Sequence, residues 1–271
     1  MWNEHSSWES AEQAWDKNAQ EAAKEHPIKG LAALPSMVGI TPDTAKNLKW
    51  KSLKWMILQD DQWKIMKNVL KHPLRYGWNY IISLFKSRPY TRDQDFFHYN
   101  IKDVQEFRKL LEDKESVLVV GFSYCQKPFE CPSGRFTDQC IHAKDNPVCQ
   151  QCSIGKVMHA LPEKHTVPLI IPTIHYIGGK IFDTIAEYPG KQILFMITAC
   201  EMTLQMFGDW GNMVKIKGLG IRLDGRICNT MKAFELSEKG IKPGLTVILT
   251  ETQKKVLELV RHRRESLTNE L

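Results

Sequence analysis

Five of the seven cysteines lie in one stretch, residues 124–155, and this stretch constrains the fold more strongly than any other feature of the chain. It follows directly on an apolar run, VLVVGF, at Val117–Phe122. From Cys125 to Cys152 the chain continues for 28 residues as a predicted loop. A loop of that length needs something to order it inside a compact domain. Thiolates around a metal would supply that order, because the free energy of metal binding becomes free energy of folding.

The spacing of the cysteines indicates which metals to expect. Cys149-x-x-Cys152 is a common bidentate spacing in zinc sites and in iron–sulfur proteins. Cys131-Pro132 is a dipeptide found at some cluster ligands. All-thiolate sites suit both metals. We predict one or two iron–sulfur clusters, of the 4Fe–4S type, with zinc as the alternative.

The sequence favours a reducing, cytoplasmic environment. The N-terminal segment carries Glu4, Glu9 and Glu12 and has no apolar core, so it does not read as a secretory signal. No run of about 18 apolar residues predicts a membrane-spanning helix. In a reducing compartment, seven cysteines indicate metal binding or redox chemistry before disulfides.

Residues 116–250 predict an α/β fold. Apolar runs rich in β-branched residues recur at Val117–Phe122, Val167–Pro172, Gln192–Thr198 and Leu245–Leu249. Helical patterns separate them at Ile154–Leu161, Tyr176–Tyr188, Glu201–Phe207 and Asn229–Lys239. Residues 214–223 are either a short strand or a loop. The alternation predicts a Rossmann-like, largely parallel sheet with flanking helices, preceded by an all-helical basic N-terminal region.

Three cysteines fall just after predicted strands. Cys125 follows the first strand and Cys200 the third, while Cys228 precedes a predicted helix. The carboxyl ends of parallel strands share one edge of a sheet, where ligands bind. We therefore expect Cys125, Cys200 and Cys228 at this rim, with His175, which follows the second strand.

The seven cysteines allow two arrangements. In the first, one closed four-thiolate centre uses the loop cysteines, Cys131, Cys140, Cys149 and Cys152. The rim cysteines then form a second, three-thiolate centre with one coordination position free. In the second, a single centre draws on both sets and the other cysteines are buried thiols.

The basic charge is concentrated in residues 46–92. This segment holds 11 Lys or Arg against two Asp, a net charge of +9, whereas the whole chain carries +6. Trp and Tyr alternate with the basic residues. We favour a helical region whose apolar faces pack inward while its lysines stay solvated. Attachment to a membrane surface or an acidic partner is the next alternative, and nucleic-acid binding is the least favoured.

Four segments follow from these patterns. They are a helical arm and linker at 1–45, a basic aromatic helical region at 46–115, the cysteine-rich α/β domain at 116–250 and a C-terminal helix at 251–271. Within the second segment, residues 90–99 are predicted as a loop, and Asn100 is predicted to cap the helix that follows.

From about Val117 to Ile248 the sequence resembles the proteins called domain of unknown function 116. The resemblance is carried by SYCQ and CxxCSIG segments, a strand ending ITAC, and RICNT before a helix. It implies a cysteine-rich iron–sulfur protein without an assigned reaction. It also implies ligand roles for the matching cysteines, Cys125, Cys131, Cys149, Cys152, Cys200 and Cys228.

Two functional hypotheses follow. The first is an iron–sulfur oxidoreductase or sulfur-transfer enzyme, with an electron-transfer partner or a small-molecule substrate at the rim. The second is a zinc-stapled binding module without enzymatic activity, attached through residues 46–92 to a membrane surface or an acidic partner. No G-x-G-x-x-G motif follows the first strand, which argues against a dinucleotide cofactor there.

Overall fold

A computed structural model describes residues 2–29, 39–60, 63–85 and 90–268. The strands are β1 Tyr90–Asp93, β2 Phe96–Tyr99, β3 Val117–Ser123, β4 Thr166–Ile171, β5 Ile193–Ala199, β6 Lys217–Arg222, β7 Asp224–Gly225 and β8 Thr246–Val247. The helices are α1 Trp8–Glu25, α2 Pro42–Ala45, α3 Leu48–Leu58, α4 Lys64–Lys71, α5 Trp78–Phe85, α6 Val104–Leu110, α7 Pro147–Gln151, α8 Ser153–Ala160, α9 Ile174–Glu187, α10 Glu201–Gly211, α11 Met231–Ser237 and α12 Thr250–Thr268.

A six-stranded, mostly parallel sheet lies between two layers of helices. Its strand order is β1-β2-β6-β5-β3-β4, and β4, β3, β5 and β6 are mutually parallel. Successive side chains of a strand point to opposite faces. In β3, Leu118 and Val120 accordingly pack with α8 and α12, whereas Val119 packs with α9 and α10. The structure confirms the prediction of an α/β fold with a largely parallel sheet and flanking helices.

Residues 90–99, predicted as a loop, form a β-hairpin instead. Strands β1 and β2 pair with each other, and β2 pairs antiparallel with β6. All four residues of β2 are buried, and this continuous burial lacks the alternation that makes a surface strand recognisable. The next helix begins later than predicted. Asn100 has a positive φ of 49°, and Asp103 caps α6 by accepting from the amide of Glu106 at 2.8 Å.

The strand predicted at Leu245–Leu249 is shorter than expected, and it does not join the main sheet. Only Thr246 and Val247 are extended, and they pair with β7 in a separate two-stranded ladder. The main sheet has no free place for them beside β6, because β2 and β5 already occupy its two edges. The segment 214–223 contributes β6, at Lys217–Arg222.

The basic region only partly follows the favoured interpretation. Helix α3 buries Leu48 and Met56 as expected for an inward apolar face. Helix α5 does the opposite, since Trp78 and Phe85 are exposed while Tyr80 is buried. Within the described ranges, no helix is both long and apolar enough to cross a membrane.

Candidate cysteine-ligated site

The structure separates the seven cysteines into two groups, and every thiol is free. We name them the rim group, Cys125, Cys200 and Cys228, and the loop group, Cys131, Cys140, Cys149 and Cys152. The rim group lies at the carboxyl edge of the sheet. The loop group lies in the connection between β3 and β4. This division follows the rim and loop sets that the sequence distinguishes, and both predicted arrangements of metal centres stay predictions.

The strand order explains where the rim group lies. β3 and β5 are parallel neighbours, with Phe122 opposite Thr198. The chain leaves β3 towards β4 on one side, and leaves β5 towards β6 on the other. Diverging connections of this kind leave a crevice beyond the strand ends, which is the usual place for a ligand in an open α/β sheet. Cys125 follows β3 in a single 3₁₀ turn, and Cys200 is the N-cap residue directly before α10.

The small β7–β8 ladder brings Cys228 and Lys242 to this crevice. Cys228 follows β7, and Lys242 lies just before β8. The ammonium nitrogen of Lys242 lies 3.1 Å from the sulfur of Cys228. The Cys228 sulfur also lies 3.3 Å from the hydroxyl of Ser237. All three rim cysteines are buried, with 8% or less of each exposed.

The environment of the rim group favours one thiolate beside two thiols. A hydrogen bond from Cys200 lowers the pKa of Cys228 to about 6, and the ammonium of Lys242 acts in the same direction. The same hydrogen bond raises the pKa of Cys200, and burial adds to that rise. Burial also raises the pKa of Cys125. Burial alone would lower the pKa of Lys242, but the three neighbouring sulfurs outweigh it and raise that pKa.

The loop group lines one small cavity of about 20 Å³. Cys152 is the N-cap residue directly before α8, beside the backbone amides of Ile154 and Gly155. Amide donors and a helix N-terminus both stabilise a thiolate. In the metal-free chain, burial still raises the pKa of Cys152 to about 11. Burial likewise raises the pKa of Cys140 and of Cys149.

A buried lysine accompanies the loop group. Lys127 also lines the cavity and is only 1% exposed. Its ammonium donates to the hydroxyl of Thr137 and to the carbonyl of Gln139, both at 2.9 Å. Both acceptors are neutral. Burial lowers the pKa of Lys127, and negative charge on Cys131, Cys140, Cys152 or the nearby Asp138 acts in the opposite direction.

Helix α1 covers the loop from outside. Its Trp15 packs beside Gly155, which has no room for a Cβ because the carbonyl of Cys149 lies there. Lys156 of α8 forms ion pairs with Glu12 at 3.1 Å and with Asp16 at 2.7 Å. These contacts hold α1 against the Cys149–Cys152 segment.

The donor set fits a soft metal chemically, but its geometry is not preformed. Among the residues that the structure describes, no three His, Cys, Asp or Glu side chains are arranged to hold a metal ion. The loop sulfurs share a cavity, the rim sulfurs are hydrogen-bonded, and neither set converges on a point. Thiols must lose protons and turn before they bind a metal, so affinity should rise with pH.

The positions of Cys125 and Cys200 after β3 and β5 follow from the sequence, but the lysines beside the two cysteine groups were not predicted. His175 lies at the start of α9, yet its ring packs 5.0 Å from that of Trp210 and does not join the rim group. Lys127 stands within YCQKP, two residues after Cys125, which is a signal that sequence reasoning could have used. Lys242 has no such signal, since the ladder that carries it to Cys228 was not predicted.

The fold and the site therefore define an α/β protein with a buried rim group and a half-buried loop group of thiols, each beside a lysine. Comparisons with protein-family models, curated proteins and solved structures found no match to this chain. The resemblance to domain of unknown function 116 accordingly stays a prediction.

Proposed function

We propose that this chain is an iron–sulfur protein with two cysteine-ligated centres. The loop group holds a structural or electron-transferring centre. The rim group holds the centre at which redox or sulfur chemistry takes place. The observation that carries the proposal is that each group of thiols has a lysine beside it, since Lys127 lines the loop cavity and the ammonium of Lys242 lies 3.1 Å from the sulfur of Cys228.

Lys127 supports the proposal more strongly than Lys242 does. A buried ammonium with only neutral hydrogen-bond partners is costly, and proteins normally bury charges in pairs. The four loop cysteines become anionic when they bind a metal. The site then gains a net negative charge next to Lys127, and the cost of burying its ammonium is offset. Protonated thiols with a purely structural role would be neutral and would not need a positive charge such as that of Lys127 beside them.

The rim group supports a reactive centre more than a structural one. The parallel strands run in the order β4-β3-β5-β6, which is typical of doubly wound, Rossmann-like domains that bind ligands at this crevice. The strand ends at the rim are already held in place by the pairing of β3, β5 and β6, so the rim needs no metal to order it. Three thiols leave one position of a cluster open, and a cluster there would supply one-electron transfer or bind sulfur. Cys125, Cys200 and Cys228 hold it, and Lys242 offsets its charge. The partner would be an electron donor or a small molecule.

A second candidate is a zinc-stapled binding module. A cavity of about 20 Å³ is close to the volume that one water molecule needs. A single ion is therefore closer to the size of this cavity than a multi-iron cluster, which would push the sulfurs further outward. In this alternative the loop site is closed and structural, and the rim thiols stay metal-free.

Anaerobic purification distinguishes these candidates. We expect a brown protein that contains iron and acid-labile sulfide, and we expect Cys200→Ser/Cys228→Ser to lose a part of both while it stays folded. Ser133→Ala, which removes a hydroxyl beside the loop cavity and no thiol, is the matched control. A colourless protein with one zinc per chain, unchanged in the rim variant, would favour the second candidate. A metal-free protein that reconstitutes with neither metal would refute both.

A further inference from the structure

A large apolar surface is exposed on the basic helices. Nine large apolar side chains between residues 50 and 85 are more than 40% exposed. They are Trp50, Ile57, Leu58, Trp63, Leu70, Leu74, Trp78, Ile81 and Phe85. Monomeric soluble proteins rarely expose contiguous apolar patches of this kind without a binding role.

Helix α5 shows that this exposure is built into the fold. Its buried side carries Tyr80 and Ser83, and Asn79 donates to the carbonyl of Met213 at 3.0 Å. Lys49 of α3 donates to the carbonyl of Ser83 at 2.7 Å. Polar contacts therefore fix the inner side of α5, and its apolar side is left facing outward.

The exposed side of α5 forms a stripe of Trp78, Ile81 and Phe85, which follow the spacing of one helical face. Leu74, in the π-helical turn Pro73–Gly77 directly before α5, is 90% exposed. The ring of Phe85 lies 6.2 Å from that of Trp50, which joins the stripe to the exposed side of α3. We call this joined area the α3–α5 surface, formed by Trp50, Ile57, Leu58, Leu74, Trp78, Ile81 and Phe85.

The charge around the α3–α5 surface selects its partner. Residues 46–92 carry a net charge of +9. Lys64 and Arg92 form ion pairs with Asp183 and Glu201, and the segment stays strongly basic when these two are set aside. One of the two acids in this segment, Asp60, is buried and caps α4 by accepting from the amides of Ile65 and Met66. Two copies of this surface would bring strong like charges together, which disfavours a symmetric dimer. An anionic, partly apolar partner is complementary to it.

We propose that the α3–α5 surface docks this protein on an anionic lipid bilayer. Lys and Arg beside Trp, Phe and Leu are the composition of helices that lie in the membrane interface. The tryptophans suit the headgroup level, where an amphipathic ring has both an apolar and a polar neighbour. The lysines add attraction to anionic headgroups. This proposal is independent of the metal content of the cysteine groups.

Co-sedimentation of the full chain with vesicles tests the proposal. We expect binding to phosphatidylcholine vesicles that contain phosphatidylglycerol, and much weaker binding to pure phosphatidylcholine or at high salt. Leu74→Glu/Phe85→Glu should lower partitioning to the anionic vesicles about tenfold or more, because it places charge in the apolar stripe. Leu249→Glu, which changes an exposed leucine away from this surface, should bind like the wild type.

Two outcomes would overturn the proposal. The first is equal partitioning of wild type and Leu74→Glu/Phe85→Glu, or no binding to anionic vesicles by either. The second is a vesicle-independent dimer, seen by analytical ultracentrifugation, that the same double variant dissociates. That result would assign the α3–α5 surface to a second copy of the chain. Circular dichroism shows whether each variant is folded, and the exposure of Leu74 and Phe85 makes unfolding unexpected.

Discussion

Replacing Lys127 by Met separates metal binding from folding. The substitution removes an ammonium that is 1% exposed, and it keeps a side chain of similar length. In the metal-free protein this loses two charged hydrogen bonds, but it also relieves the cost of burying a cation. These contributions are each about 1–3 kcal/mol and opposite in sign, so the metal-free protein should change little in stability.

The metal-bound protein should respond differently. Two unit charges about 4 Å apart interact by about 4 kcal/mol at an effective dielectric constant of about 20, which sets an upper scale for Lys127 beside one thiolate. Residues that support metal ligands without binding the metal typically contribute about 10–100-fold in affinity. We therefore expect Lys127→Met to weaken metal binding by about 10–100-fold.

Chelator competition under exclusion of oxygen measures this change, and urea unfolding of the metal-free protein measures its stability. Lys144→Met is the matched control, because Lys144 lies in the same loop but is exposed and pairs with Glu4. It should leave both the stability and the metal affinity nearly unchanged. Equal metal affinity of Lys127→Met and the wild type would refute the role given to this charge.

Three further predictions concern buried charges. Arg263 is fully buried and donates to three backbone carbonyls within residues 111–116. Arg263→Met should therefore lower the free energy of urea unfolding by about 3 kcal/mol or more, whereas Arg261→Met, at a more exposed arginine, should lower it little. Burial raises the pKa of Glu238 to about 8, so the folded state keeps a proton that the unfolded state releases. The free energy of unfolding should therefore fall as the pH rises from about 5 to 8, and Glu238→Gln should lack this slope. Parallel pH profiles of the variant and the wild type would contradict the assignment. In the metal-free protein, the rate of Cys228 alkylation, followed by mass spectrometry, should increase with pH with a midpoint near pH 6. Lys242→Met should raise that midpoint, because it removes an ammonium 3.1 Å from the sulfur. An unchanged midpoint would contradict the contact.

The sequence predicted the elements whose pattern is strong and local. β3 and β5 are apolar runs rich in β-branched residues, and this composition is typical of central strands buried on both faces. The β1–β2 hairpin was missed because each strand has only four residues, and its burial depends on β6, more than 100 residues away. Pairing over that distance leaves no periodic signal in the strand itself.

The same reasoning explains what could be predicted of the site. Cys125 and Cys200 follow adjacent parallel strands, and their positions follow from a general property of such sheets. Lys242 approaches Cys228 through a two-residue ladder, which is too short to read from sequence. The outward apolar side of α5 was also missed, because an apolar stripe at helical spacing normally predicts a buried face. Its orientation depends on contacts to Ser83 and Asn79 made by other elements.

The two cysteine groups are physically linked. Arg135 lies in the loop between Cys131 and Cys140, and its guanidinium donates to the carbonyl of Cys125 at 3.2 Å and to that of Lys242 at 2.6 Å. Coupling between two sites is reciprocal, so a metal that orders the loop should favour binding at the rim, and a metal at the rim should favour the ordered loop. Cys149→Ser/Cys152→Ser should consequently lower the metal content by more than the loop centre alone holds. Metal and sulfide analysis of this variant measures the coupling, and loss of the loop centre alone would show that the two centres form independently.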